Sequence, residues 1–452
     1  MKPLTIKQLA DILSANIICG SGDASISRVG IDSRTAAAGD CFFTIKGEEF
    51  DGSEFIDSAI AAGALCCVTD GDIKNAANTR AAILKVNDCI EALGRLAKWY
   101  RNEMRFRVIA ITGSAGKTTI KEIIHHILSR KFACWQSPKS FNNNIGVPLT
   151  LLGASENDEI VIAELGSNRP GEIGSLTNIA APDIAVITNI YPTHLEGFGT
   201  IAAIIKEKAS IANGLRPGGK LLINSGFRDL TDYCAKLDCE VIAFDIEKAQ
   251  MKTAGLHGEV TIDGTKISVP LPGRANLENA ITAWEVCKLF DVTIDQFAES
   301  IRTMKTSEMR MQLKTAGSIT IIDDCYNANP VSMANAIDFL AEMAAEKGQR
   351  SVFICGQMGE LGSQSRKLHH QLGKSAAVKG VKLLLAAGEF AKTVVGAAKE
   401  VKCGISACQF DNMDELCDNL QRFLQSDDIV LVKGSRAARL ENVVEKLLND
   451  RK

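Results

Sequence analysis

Short, uninterrupted apolar runs alternate along this chain with stretches whose apolar residues recur every three to four positions. RVIAI (Arg107 to Ile111), EIVIAEL (Glu159 to Leu165), DIAVITN (Asp183 to Asn189) and GKLLIN (Gly219 to Asn224) are runs of the first kind. Segments so short and so uniformly apolar predict strands buried on both faces, and therefore a parallel sheet covered by helices. Ile120 to Arg130 has helical spacing, and so does ANLENAITAWEVCKLF after Gly273. A second series of runs follows: SITIIDD (Ser318 to Asp324), SVFICG (Ser351 to Gly356), KLLLAAG (Lys382 to Gly388) and DIVLVKG (Asp428 to Gly434). Near the start, CFFTI (Cys41 to Ile45) and LCCVT (Leu65 to Thr69) flank the helix-like FIDSAIAAGA, and helical CIEALGRLAKWYRNEM leads into the central series. The pattern predicts an α/β chain of three domains: a small α/β unit over residues 1–83, a central parallel sheet over 84–311, and a C-terminal Rossmann-like α/β domain over 312–452.

Between the strand ending at Ile111 and the helix that follows lies TGSAGKTT. The strict phosphate loop, G-x-x-x-x-G-K-[ST], would need glycine where Ile111 stands. Gly113 and Gly116 still allow a tight turn that aims N–H groups of Ser114, Ala115 and their neighbours at an anion. Lys117 supplies a point charge, and the hydroxyl of Thr118, followed by Thr119, suits Mg²⁺. The central domain is expected to be P-loop ATPase-like; the plainer possibility is an ordinary glycine-rich strand-to-helix turn. Ligands of open parallel sheets gather at the carboxyl ends of strands, where Glu164 and His194 (in NIYPTHLEGFG) both fall. Either could serve a metal, or Glu164 could cap a helix and His194 be a satisfied loop residue. In the last series, DDCYNANPVSM puts Asp324, Asn327 and Asn329 at a strand end, with Pro330 stopping the strand and Ser332 able to cap a helix. KGSRAARLENVV repeats the arrangement with Lys433, Ser435 and Arg436, as an anion site would, although turns rich in such residues are common.

Composition narrows the partners. The chain has 46% hydrophobic and 23% charged residues, as in ordinary soluble globular proteins. A net charge of −3 and a pI near 6.2 provide no electrostatic footprint for nucleic acid or an anionic membrane. The N-terminal residues have no signal-peptide pattern and no stretch reads as membrane-inserting, so a cytoplasmic monomer acting on small molecules is expected. The 14 cysteines never form C-x-x-C and read as reduced core residues, and no zinc-ligand spacing occurs.

Together these stretches resemble the Mur ligase family, whose shortened loop T-G-x-x-G-K-[ST]-[ST] matches Thr112 to Thr119, so the absent first glycine is a family trait. The resemblance extends through IDSRTAAAGDCFFTIKGEEFDG, SFNNNIGVPLTLL, AELGSN, NIYPTHLEGFG, GRANLENAITA, DDCYNANPVSM, GQMGELG and VLVKGSRAARLENVV. It implies that Lys117 and Thr118 handle the phosphates of ATP and Mg²⁺, with Glu164 and His194 as metal ligands. Asn276 and Asn279 would reach adenine, while Arg310 and Asp324 would hold phosphate and ribose across a domain gap. Ser33, Arg34, Lys46 and Asp51 match the part that receives a UDP-sugar. Asn142 and Asn143 match a substrate-facing pair, and Asn327, Asn329, Lys433, Ser435 and Arg436 should lie near the acceptor. NNNIGVPLTLL and DDCYNANPVSM resemble the branch that uses UDP-N-acetylmuramoyl-tripeptide and D-alanyl-D-alanine. The implied reaction is ATP-dependent amide formation through an acyl phosphate, in cytoplasmic peptidoglycan precursor synthesis. Another amide ligase of the family and a P-loop ATPase or kinase are the rival readings.

The family is also known for a lysine carrying a CO₂-derived carbamate, and GTIAAIIKEKASIAN offers two candidates. Helical spacing separates them: Lys208 falls on the apolar face of Ile204, Ile205, Ile211 and Ala212, whereas Lys206 points to the polar side. Burial favours the neutral amine that reacts with CO₂, so Lys208 is the expected carbamate and fourth metal-site residue.

Overall fold

The computed structural model describes residues 1–47, 50–72, 80–255, 257–401 and 404–450. Three mixed or parallel sheets follow one another along the chain. The first has five strands in the order Asn16–Cys19, Ala82–Lys85, Cys66–Thr69, Asp40–Phe43, Arg28–Gly30, with only the Asn16–Cys19 edge antiparallel. The central sheet is fully parallel, in the order Glu240–Phe244, Lys220–Asn224, Ile184–Ile187, Arg107–Thr112, Ile160–Glu164, Cys134–Gln136. The third runs Gln312–Ala316, Ile319–Asp323, Ile429–Lys433, Ser351–Cys355, Leu383–Ala387, Ser406–Phe410, parallel except for the Gln312–Ala316 edge. The first sheet extends through Lys85, and the third begins at Gln312.

The continuous apolar runs have a direct packing cause. Along Arg107–Thr112, Val108 and Ala110 enter one core while Ile109 and Ile111 enter another, so each face of the sheet is covered. Val161 and Ala163 part from Ile160 and Ile162 in the same way. The first of these cores is shared with the N-terminal sheet through the helix Cys89–Glu103, which buries Leu93, Leu96 and Ala97 between the two. Arg101 on that helix is 0% exposed and donates to the carbonyls of Phe106, Ala180 and Ala181 at 2.9, 3.0 and 2.9 Å and to Asp183 at 2.7 Å. Asp183 also accepts from the N–H of Val108 at 2.7 Å, so one ion pair fixes the linker helix against the start of the central strand.

Some elements differ from the sequence reading. A three-stranded antiparallel meander, Gln250–Ala254, His257–Ile262 and Thr265–Val269, lies within the central region. Short edge strands such as Cys134–Gln136 are half-buried and so lack a continuous apolar run. The helix expected from Ile120 begins earlier, over Lys117–Leu128, because Gly116 at φ +80° turns the chain directly into it. The helix Pro330–Lys347 is capped by Asn329, not by Ser332. The Asn329 side chain accepts from Ser332 N at 2.8 Å, and Ser332 Oγ accepts from Asn329 N at 3.0 Å, with Pro330 in the first turn.

Burial pushes the Arg101 guanidinium down to about 10, against the opposing pull of Asp183. Replacing Arg101 with Met removes a donor from three carbonyls and leaves Asp183 without its counter-charge, so the unfolding free energy should fall by about 3 kcal/mol. Urea titration followed by far-UV circular dichroism measures it; a loss under about 1 kcal/mol would mean that the pair is no better than a surface one.

Candidate active site

The strands Arg107–Thr112, Ile160–Glu164 and Ile184–Ile187 are neighbours and end at one edge, so the segments that follow them converge. Over this edge sits a cavity of about 1000 Å³ between the central and C-terminal sheets, lined by Ser114 to Thr119, Asn142, Asn143, Glu164, His194, Asn276, Asn279, Arg310, Asp324, Asn327, Asn329, Lys433 and Arg436. Among the predicted site residues, Ser33, Arg34, Lys46, Asp51, Gly113, Lys208 and Ser435 do not line it.

The glycines of the loop are required by close approaches. A Cβ at Gly116 would lie 2.4 Å from Asn279 Oδ1, and one at Gly113, with φ +146°, would lie 2.0 Å from Thr188 Oγ1. Ser114 and Ala115 donate their N–H groups to Asn189, at 3.1 Å to its carbonyl and 2.8 Å to its side chain. That leaves the first-turn N–H groups of the helix Lys117–Leu128, which have no partner within a helix, to receive an anion. Asn189 therefore shapes the loop; its only sequence signal is a polar residue closing the run DIAVITN. Lys117 folds back on the carbonyl of Gly113 at 2.8 Å, its ammonium pushed down by burial and partly restored by Glu164.

Glu164 is 2% exposed. It accepts from Thr118 Oγ1 at 2.7 Å and from Asn142 Nδ2 at 2.8 Å, and its N–H donates to Ser137 Oγ at 3.1 Å. Thr118 Oγ1 and Glu164 are hard oxygen donors in contact beside the phosphate loop, a chemistry that fits Mg²⁺. Among the described residues no group of three His, Cys, Asp or Glu side chains is gathered for a metal. Arg310 reaches across the cleft to Thr118 Oγ1 at 3.0 Å and stacks on Tyr326 at 4.2 Å. Lys121, one helical turn beyond Lys117, is 1% exposed and holds the carbonyls of Ser137 and Lys139 at 2.7 and 2.5 Å, fixing the segment that presents Ser140 and Asn142. The sequence gives no sign of this role, because a lysine in a helix ordinarily reads as exposed.

His194 faces the carboxylate of Glu360, which comes from the C-terminal domain and is held below its ordinary value by that imidazole. Asp324 pairs with Lys433 and accepts from Met311 N at 3.1 Å; burial raises its carboxyl while Lys433 opposes the shift. Lys433 also donates to the Asn327 carbonyl at 3.1 Å. Asn143 Oδ1 accepts from the N–H groups of Ile145 and Gly146 at 3.2 and 2.9 Å, just ahead of the helix Gly146–Gly153, and Asn276 accepts from Asn279 Nδ2 at 3.2 Å. Asn329 has the capping role described above. Ser435 Oγ is buried without a hydrogen-bond partner among the described residues. In the first domain, Arg34 pairs with Asp32 at 2.7 Å and Lys46 with Asp51 at 3.3 Å, and Asp51 also accepts from Ser53 N.

The two candidate lysines of the helix Ile201–Ala209 part as the spacing requires. Lys206 is exposed, whereas Lys208 is 1% exposed and donates to Ser167 Oγ at 2.8 Å. Burial pushes Lys208 down to about 7, and the charge of Lys117 adds to the effect.

A glycine loop at the switch point of a parallel sheet, facing a second α/β domain across a polar cleft, defines a nucleotide-dependent enzyme of the phosphate-loop class. Family profiles agree in all three regions: "Mur ligase family, catalytic domain" matches residues 25–101, "Mur ligase middle domain" 111–287, and "Mur ligase, glutamate ligase domain" 309–436. The UDP-N-acetylmuramoyl-tripeptide–D-alanyl-D-alanine ligase of Escherichia coli (strain K12) is 31% identical, with 99% of each chain covered. Among solved structures, MurF from Acinetobacter baumannii aligns with a TM-score of 0.88 at 27% identity, covering 99% of both chains. MurF ligase from Thermotoga maritima in complex with ADP aligns with a TM-score of 0.79 at 27% identity, covering 94% of this chain and 98% of that one. The chain belongs to the Mur ligase family.

The depressed Lys208 has a consequence for stability. Unfolded, the lysine keeps its proton up to its ordinary value of 10.5, whereas folded it releases it above about 7. Between these values the unfolded state binds more protons, so this group makes stability rise with pH across that window. In CO₂-free buffer, Lys208→Met should flatten the rise in unfolding free energy between about pH 7 and about pH 10 by a few kcal/mol. Parallel pH profiles of variant and wild type would show that Lys208 titrates normally.

Proposed function

We propose that the chain is an ADP-forming amide ligase that joins D-alanyl-D-alanine to UDP-N-acetylmuramoyl-tripeptide, in cytoplasmic synthesis of peptidoglycan precursor. The observation that carries this reading is the single cavity lined both by the phosphate loop and by Asn327, Lys433 and Arg436 of the C-terminal domain. Such a cleft suits the passage of an activated group from a nucleotide to a second substrate. The named activity of full-length relatives identifies the substrates, and the ADP bound in the Thermotoga maritima structure supports the nucleotide.

A carboxylate and an amine do not condense at neutral pH, because the carboxylate has no leaving group. ATP therefore phosphorylates the terminal carboxylate of the tripeptide, and the dipeptide amine attacks the acyl phosphate, releasing orthophosphate. Lys117, the first-turn N–H groups of its helix and Arg310 stabilise the charge on the transferring phosphoryl group. Thr118, Glu164 and His194 would hold Mg²⁺, which supplies charge neutralisation at the phosphates. Lys208, buried and poised to be neutral, is suited to add CO₂ as a carbamate with loss of a proton, giving an anion beside Ser167. In this reading residues 1–83 bind the UDP-sugar through Ser33, Arg34, Lys46 and Asp51. Residues 84–311 bind ATP, with Asn276 and Asn279 at adenine and Asp324 contributing to the ribose from across the cleft. Residues 312–452 bind the acceptor through Asn327, Asn329, Lys433, Ser435 and Arg436, while Asn142 and Asn143 face the tripeptide.

Orthophosphate release should require both UDP-muramoyl-tripeptide and D-alanyl-D-alanine, and L-alanyl-L-alanine should not replace the latter. In the same assay Lys208→Ala should lose nearly all turnover and Lys206→Ala little. Equal release without the dipeptide would favour an ATPase or kinase. An inactive Lys206→Ala beside an active Lys208→Ala would overturn the carbamate assignment.

A further inference from the structure

The amide ligase reading gives the C-terminal domain a task that its basic residues alone cannot perform. The acceptor is a zwitterion, and Lys433 and Arg436 can meet only its carboxylate. Its ammonium needs an anion near the phosphoryl end of the cavity. Most acidic side chains lining the cavity are already engaged: Glu164 by Thr118 and Asn142, Asp324 by Lys433, Glu172 by the N–H groups of Asn168 and Arg169, and Asp338 by Lys379. Glu342 is exposed on the helix Pro330–Lys347, one turn beyond Phe339, whose side chain lies beside Gly273 at the Asn276 end of the cavity. Glu360 remains. Its side chain is 47% exposed, it lines the cavity, and among the described residues its only ionic partner is His194, on the segment that follows the central strand Ile184–Ile187.

We propose that Glu360 receives the ammonium group of the acceptor dipeptide, with Arg436 on the neighbouring loop, which also pairs with Glu441 at 2.9 Å, receiving its carboxylate; this rests on the ligase reading above. The two loops are built side by side. Gly356 N donates to the Lys433 carbonyl at 3.1 Å, and Ser435 N donates to the Gln357 carbonyl at 2.9 Å. In a dipeptide the two charged ends lie about 5–6 Å apart, a span suited to adjacent loops. The Glu360 loop is also held from behind. Met358 N donates to His369 Nε2 at 2.9 Å, which places the ring proton on Nδ1 for donation to the Ser365 carbonyl at 2.7 Å. His369 is 0% exposed and stacks on Phe390 at 4.2 Å, so the loop is fixed before any ligand arrives. In front, Glu196 N donates to the Glu360 carbonyl at 3.3 Å, setting the carboxylate beside the central domain. The amine is thereby delivered by the C-terminal domain to the edge of the central sheet where the acyl phosphate forms.

A competing role is that Glu360 merely orients His194, as carboxylates behind metal-binding histidines do. Glu360→Gln keeps shape and removes charge, and the two roles then diverge. If Glu360 seats the ammonium, the KM for D-alanyl-D-alanine should rise roughly tenfold or more, with the Mg²⁺, ATP and tripeptide dependences little changed. Propionyl-D-alanine, which lacks the amine, serves as a competitive probe. The wild type should prefer the dipeptide over this analogue, and Glu360→Gln should lose that preference. An unchanged dipeptide KM with a raised Mg²⁺ requirement, or a retained preference for the amine, would overturn the assignment. If the wild type released phosphate with no dependence on the dipeptide, the ligase reading would itself fall and this inference with it.

Discussion

Glu164 is a carboxylate buried at the end of a central strand, and its charge has to be answered by whatever surrounds it. The answer organises the site. Thr118 and Asn142 donate to it directly, and the charges of Lys117 and Lys121 act on it from the same helix. Those partners arrive from two separate segments, so satisfying one carboxylate fixes the phosphate-loop helix and the segment from Ser137 to Asn142 against the strand Ile160–Glu164. Arg310 extends the cluster across the cleft by donating to the Thr118 hydroxyl already engaged with Glu164. The result is a preorganised polar floor, formed before any phosphate binds, which is the condition for electrostatic stabilisation without reorganisation.

The division of labour between the two large domains follows from the chemistry of an acyl phosphate. Such an intermediate must be shielded from water and must meet an amine. One sheet presents a phosphate loop at its strand ends, and the other presents Asp324, Asn327 and Lys433 at its own. Contacts such as Arg310 with Thr118 and His194 with Glu360 join the two across the cavity.

Much of this was legible in the sequence, for identifiable reasons. Strands buried on both faces produce continuous apolar runs, so the central strands of the two large sheets could be read from residues such as Val108 to Ile111 and Val352 to Ile354. Edge elements could not: Cys134–Gln136 is short and half-buried, and the meander around His257–Ile262 alternates with a period that a search for continuous runs passes over. The burial of Lys208 followed from helical spacing because three isoleucines mark its face. Lys121 escaped the same logic, since its burial is imposed by a loop from elsewhere whose carbonyls it satisfies. Asn189, which receives the N–H groups expected to wrap a phosphate, acts through backbone groups distant in sequence. No local motif records such contacts.

In the proposed reaction one cleft carries a phosphoryl group from ATP to a carboxylate and then exchanges it for an amine. Isotope tracing tests this most directly. UDP-muramoyl-tripeptide labelled with ¹⁸O in the terminal carboxylate would be turned over with ATP and D-alanyl-D-alanine, and the released orthophosphate analysed by mass spectrometry. Each amide formed should transfer a carboxylate oxygen to orthophosphate, because the bond between that oxygen and phosphorus forms in the first step and leaves intact in the second. Orthophosphate free of label, with its new oxygen drawn from water, would show that ATP is hydrolysed without activating the carboxylate and would contradict the account.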